Sequence, residues 1–233
     1  MQRLLGSKIM MIAGLIILFL IGFTFIGAMI YERKQSYQQV VKDIARDNVN
    51  PQTVLTPFIV VPMTTSSICA DDKSKSCYKR QQIVITPEKS TWNNKVKVDD
   101  QRYKRGIYNA ISYQNQMTLT GRFTVSDTLF HPSPNQVIDW DNAKMRFYLS
   151  DLRGLKKQPT MILGEKKIDF AFPKEEGVNP LHMAYTHTAI NFLQQTPSFD
   201  FTLEVDLAGT GSFQALPLGN DLAMTMEANW PHP

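Results

Sequence analysis

The chain has 233 residues, 25 Lys and Arg against 21 Asp and Glu, a net charge of +4 and a pI near 9.0. With 43% hydrophobic residues it can bury a real core, which excludes a disordered chain. The mild basic excess is interrupted by Asp71, Asp72, Asp99 and Asp100 and lacks dense patches with interleaved aromatics, so no nucleic-acid partner is expected.

In chain order, the first element is an apolar run from Ile9 to Ile30, bounded by Lys8 and by Glu32, Arg33 and Lys34. Its 22 residues reach roughly 33 Å as a helix, enough to cross a hydrocarbon core of about 30 Å. It is longer than a signal-peptide core, and no small-residue cleavage site follows it. Thr24 is its one polar side chain, so it reads as a transmembrane helix (9–30) behind a short tail (1–8), with the lipid bilayer as its first partner. Charge alone does not fix the orientation. Arg3 and Lys8 favour a cytoplasmic tail, whereas Arg33, Lys34, Lys42 and Arg46 beyond the span pull the other way; the rule is counted over short loops, and only the tail is short.

Residues 31–50 are expected to prolong the helix as a stalk. Tyr37, Val40, Val41, Ile44 and Ala45 recur at helical spacing, and Asn50-Pro51 marks the stop. This face packs either on the protein's own domain, the preferred reading, or on a partner helix.

From residue 51 onward the period changes to two. A hairpin is expected from Pro57–Met63 and Gln82–Ile85, with Cys69 opposite Cys77 about Lys73 and Met63 opposite Ile83. A disulfide would close its tip in an oxidising compartment such as the periplasm and contribute about 2–3 kcal/mol. The alternatives are free thiols or a metal pair, but the spacing matches no zinc pattern.

Further alternating sets are Met117, Leu119, Phe123 and Val125 (with Gly121 as a bulge), Met145, Phe147 and Leu149, Phe199 to Leu207, and Leu222, Met224, Met226 and Ala228. Turns are expected at Gly164, at Gly209-Thr210-Gly211 and at Pro217 to Asn220. Pro180 to Leu193 is a helix candidate, although its His182–Thr186 portion reads equally as strand. The fold class is mainly β: one transmembrane helix with a helical stalk, then an antiparallel, sandwich-like domain over 51–233.

The chemistry-bearing patterns are absent. There is no nucleophile elbow, HExxH helix, phosphate loop or CxxC pair, and Gly209-Thr210-Gly211-Ser212 opens no helix. His182 and His187 are spaced for neither a strand nor a helix metal pair. The basic cluster Lys95, Lys97, Arg102, Lys104 and Arg105 would suit anionic head groups, but is read here as a solvated face. No catalytic residue, metal or cofactor is expected.

Several short motifs recur in an order that resembles one family. They are Glu32-Arg33, Leu55-Thr56-Pro57 leading to Val61-Pro62, Arg105-Gly106-Ile107-Tyr108, Gln116-Met117-Thr118-Leu119, Asp151-Leu152-Arg153-Gly154, Leu207-Ala208-Gly209-Thr210-Gly211 and Asn229-Trp230-Pro231-His232-Pro233. Together they resemble the CreD family of cell-envelope-integrity inner-membrane proteins. The resemblance implies an inner-membrane location, a cytoplasmic N-terminus, a periplasmic domain over 51–233, and further membrane helices beyond the last motif as partners of this half. It assigns no catalytic residue, so Arg105, Gly106, Tyr108, Gly209, Gly211, Trp230, Pro231 and His232 are read as structural. Trp230-Pro231-His232-Pro233 is expected to form a joint, since two prolines end a strand and tryptophan suits an interface. The implied role is non-enzymatic: a periplasmic domain that binds or braces an unknown protein or envelope component. The alternative is a ligand- or peptide-binding sensory module signalling through the stalk.

Overall fold

The computed structural model describes residues 2–71, 74–171, 184–190 and 197–229, and their side chains except at 2–9, 100–102 and 184–188. The apolar run and the stalk form one unbroken helix, α1 (Gln2–Asp47). Its described apolar side chains stand exposed through Tyr31, and the helix is long and apolar enough to cross a membrane. Beyond the span its burial becomes one-sided: Tyr37 is partly exposed, Val40 and Val41 are half-buried, and Ile44 and Ala45 are buried. The stalk therefore packs on its own domain.

Thirteen described strands follow: β1 (Gln52–Leu55), β2 (Phe58–Ile68), β3 (Ser76–Ile85), β4 (Lys89–Arg105), β5 (Tyr108–Thr124), β6 (Gln136–Ile138), β7 (Lys144–Leu149), β8 (Thr160–Leu163), β9 (Lys166–Asp169), β10 (Ala184–Ala189), β11 (Ser198–Thr210), β12 (Phe213–Leu216) and β13 (Asp221–Ala228). One sheet runs β12-β1-β7-β2-β3, with β10 on β7 and β6 on β2; the other runs β13-β4-β5-β11-β8-β9. Both contribute to the main core, with Val54, Ile59, Val61, Met145, Phe147 and Leu149 from the first and Trp92, Met117, Leu119, Phe123, Leu203 and Val205 from the second, while Leu55, Phe58, Val60 and Tyr148 form a smaller cluster. The domain is mainly β, as the alternation predicts. The sheets are mixed, however, because β1 pairs with β12 and β13 pairs with β4 in parallel. Those pairings join distant segments, and one-sided alternation carries no signal of strand direction.

β11 follows the expected pattern, with Phe199, Phe201, Leu203, Val205 and Leu207 buried. Its partner β5 contains no bulge at Gly121, which holds regular register opposite Ser90 and Phe201. A Cβ at Gly121 would collide with the Lys89 carbonyl and the Phe201 ring, so the glycine admits a close approach. The register shift lies in the β4–β5 pair, between Asp99 and Tyr103.

Four other expectations change. The row Leu222, Met224 and Met226 is 42–49% exposed because β13 is an edge strand. The described part of 180–193 is strand β10, zipped antiparallel onto β7 from Ala184↔Leu149 to Ala189↔Lys144. Gly209 and Thr210 belong to β11, and the turn begins only at Gly211, with φ 78°. The β2–β3 hairpin is offset: Cys77 stands opposite Ser67 and Met63 opposite Gln81. The cysteines meet diagonally across the tip, with a disulfide between Cys69 and Cys77 and Cα atoms 5.1 Å apart. The turns at Gly164 (φ 57°) and Gly219 (φ 115°) fall where expected.

Candidate functional site: the joint between helix and β domain

The end of α1 leaves carbonyls without helical partners, and they need acceptor-matched donors where the stalk meets the domain. Arg153 supplies one, with Nη1 donating to the Arg46 carbonyl at 2.7 Å. The same guanidinium grips Asp151 in a two-pronged pair, Nε to Oδ1 at 3.0 Å and Nη2 to Oδ2 at 2.6 Å. Asp151 is buried and also accepts the backbone N–H and side-chain amide of Asn50, each at 3.1 Å. It accepts the Arg153 N–H at 3.0 Å as well, capping the short 3-10 turn Leu152–Gly154. One carboxylate thus ties Asn50, three residues past the end of α1, to the loop after β7.

Burial alone would raise the Asp151 carboxyl. The hydrogen bonds from Arg153 and from the Asn50 and Arg153 backbone, with the Arg153 charge, outweigh it and hold the group below its ordinary value.

Below this clamp sits Gln52, fully buried, whose amide donates to the Asp151 carbonyl at 3.0 Å. Its backbone N–H donates to the Ser212 carbonyl, which also accepts the Tyr113 hydroxyl at 2.8 Å. Burial pushes the Tyr113 phenol well above its usual range, partly offset by the Gln52 backbone. Two glycines leave room for these side chains. A Cβ at Gly154 would strike the Gln52 amide and the Ala208 carbonyl, and one at Gly209 would strike the Tyr113 hydroxyl.

The β4–β5 hairpin completes the joint from the side. Gly106, at φ 63°, closes its two-residue turn. Arg105 Nη2 reaches Asp47 Oδ2 at 3.1 Å, and the Tyr108 ring lies 5.8 Å from that of Tyr37. Three motifs far apart in sequence, 105–108, 151–154 and 207–211, therefore converge on the end of one helix. Residues 230–233, including Trp230, Pro231 and His232, lie outside the described residues. Asn229, the first residue of that motif, is pinned to β4: its Oδ1 accepts the Val98 N–H at 2.7 Å and its N–H donates to the Val96 carbonyl at 3.3 Å.

The sequence model of the family described as "Inner membrane protein CreD" matches residues 4–233, a span that includes these motifs. The chain belongs to the CreD family. A curated relative, the inner membrane protein CreD of Escherichia coli strain K12, is 26% identical over 230 residues. That alignment covers 97% of this chain and 49% of the relative, so this CreD chain spans about half the length of the relative it matches. No solved structure matches it.

Sequence reasoning located the motifs of this CreD chain without their meeting point. Gln52 and Tyr113 were missed; a glutamine opening a strand and a tyrosine within one carry no signal that a remote glycine is cut to fit them. Among the described residues, no group of three or more His, Cys, Asp and Glu side chains is placed to hold a metal ion. His187 lies on β10 opposite Arg146, and His182 lies outside the described residues.

Proposed function

We propose that this CreD chain holds its β domain on the periplasmic side of the inner membrane, where it binds or braces an envelope component without catalysis. The eight-residue basic tail favours a cytoplasmic N-terminus, and the Cys69–Cys77 disulfide suits an oxidising compartment. The observation that carries the reading is the arm formed by β2 and β3. Beyond Ser66, whose N–H still donates to the Asn135 carbonyl at 2.8 Å, the described residues of the two strands continue as a hairpin closed by the disulfide. Ile68 and Tyr78 are 71% and 73% exposed, with Lys79 and Arg80 beside them. Tyrosine and arginine on a projecting element favour a contact surface.

A second reading, the ligand-sensing module, draws on an open cavity of about 700 Å³ between Phe130, Trp140, Val137, Ile138, His131 and Pro197. The Phe130 and Trp140 rings stack there at 5.5 Å. A photoreactive residue at Tyr78 in the intact protein in cells discriminates the two. Adducts at Tyr78 to a defined envelope component, with none from Val137 in the cavity, are expected. Adducts from Val137 alone would favour the sensory reading.

A further inference from the structure

The β4–β5 hairpin runs back along the helix from the joint. Tyr113, five residues past Tyr108 on β5, bonds to the Ser212 carbonyl that also receives the Gln52 N–H, just beyond the end of α1. Tyr108, beside the turn, touches Tyr37, which lies ten residues before that end. The hairpin therefore advances towards the apolar run. Tyr37 follows Ile30 by seven residues, roughly 10 Å along the axis. The polar layer on each side of a bilayer is about 5–8 Å thick, and the turn lies one residue beyond Tyr108.

What the turn presents is unusual for a solvated loop. Ile107 is 77% exposed at the apex, and Lys104 is exposed beside it. Arg105 is committed to Asp47 and so holds the tip against the helix. On the helix, Tyr31 and Tyr37 are exposed, with Arg33 and Lys34 between them. An apolar tip, tyrosines and cations within the roughly 10 Å of helix axis that follow Ile30 match the chemistry of a phospholipid interface.

We propose that the hairpin tip, Lys104 to Ile107, rests on the surface of the bilayer that α1 crosses. Ile107 enters the interfacial layer and Lys104 meets lipid phosphates. The inference rests on reading α1 as a membrane span and adds a second contact, which stops the domain from swivelling about a single helix. At this tip the proposed lipid contact departs from the expectation of a solvated face for the surrounding basic cluster.

The test reconstitutes the full chain in vesicles of phosphatidylcholine, with and without phosphatidylglycerol, carrying a genetically encoded environment-sensitive fluorophore at Ile107 or at Phe19. Nitroxide lipids serve as quenchers. The expected result is quenching at 107 by head-group nitroxide that increases with phosphatidylglycerol. Lys104→Gln should weaken the tip's apparent lipid association about fivefold, the effect of one lost cation at an anionic surface. Quenching at 107 that ignores both the anionic lipid and Lys104→Gln overturns the phosphate contact. Quenching at Phe19 without quenching at 107 overturns the tip contact alone. No quenching at either position overturns the span, and the tip contact with it.

Discussion

Replacing Asp151 with alanine removes the group on which the joint turns. Its carboxylate accepts the backbone N–H groups of Asn50 and Arg153, the Asn50 amide and the Arg153 fork. Two backbone donors in a part-buried site lose their acceptor, and each such loss costs about 1–1.5 kcal/mol once water partly compensates. The expected destabilisation is about 2–3 kcal/mol, equivalent to a roughly thirty- to hundredfold rise in local opening. Hydrogen exchange read by mass spectrometry should show that loss of protection over residues 44–52 and 150–154. The centre of β11, which shares no bond with the clamp, should change little. If protection over 44–52 were unchanged, or if β11 lost protection equally, Asp151 would not be a local clamp.

Three further outcomes follow from the same geometry. Gly209→Ala should overpack the Tyr113 hydroxyl and cost about 1–3 kcal/mol in chemical denaturation, and Tyr113→Phe in the same chain should recover part of it; no cost would mean that the close approach is relaxed. Neither Cys69 nor Cys77 should react with an alkylating reagent before reduction and both should react after it, whereas labelling of both without reductant would remove the disulfide. Because the folded Asp151 carboxyl lies below its ordinary value, its stabilisation is present above the unfolded value of about 3.9 and is lost as pH falls through the folded one. A spin label at Val49 should keep constant mobility from about pH 8 to 5 and loosen only in stronger acid, and Asp151→Ala should abolish that acid step.

What the sequence discloses here follows from how local each signal is. β11 and β5 are long, with one face buried, so period-two alternation names their core residues directly. β13 alternates equally well, yet its apolar row is half-exposed, because alternation reports a face and not whether the other sheet covers it. The β2–β3 pairing is offset by two residues from the symmetric one, since a loop of polar residues does not dictate which pair closes it. The joint was legible only as motifs. Asp151, Gly209 and Arg105 are dozens of residues apart, and the non-local pairings of β7 with β1 and of β11 with β5 bring them to one helix end.

If the bonds of Asp151, Arg153 and Arg105 fix the β domain to its helix, the two move as one body, and a distance distribution between two spin labels in the bilayer-reconstituted protein measures this. One label would replace Gln38 on the stalk and the other Glu204 on β11, both exposed. A single narrow distribution that broadens in Asp151→Ala is expected. A broad distribution in the unaltered joint would show the domain hanging freely from its helix, and the clamp would then not fix it.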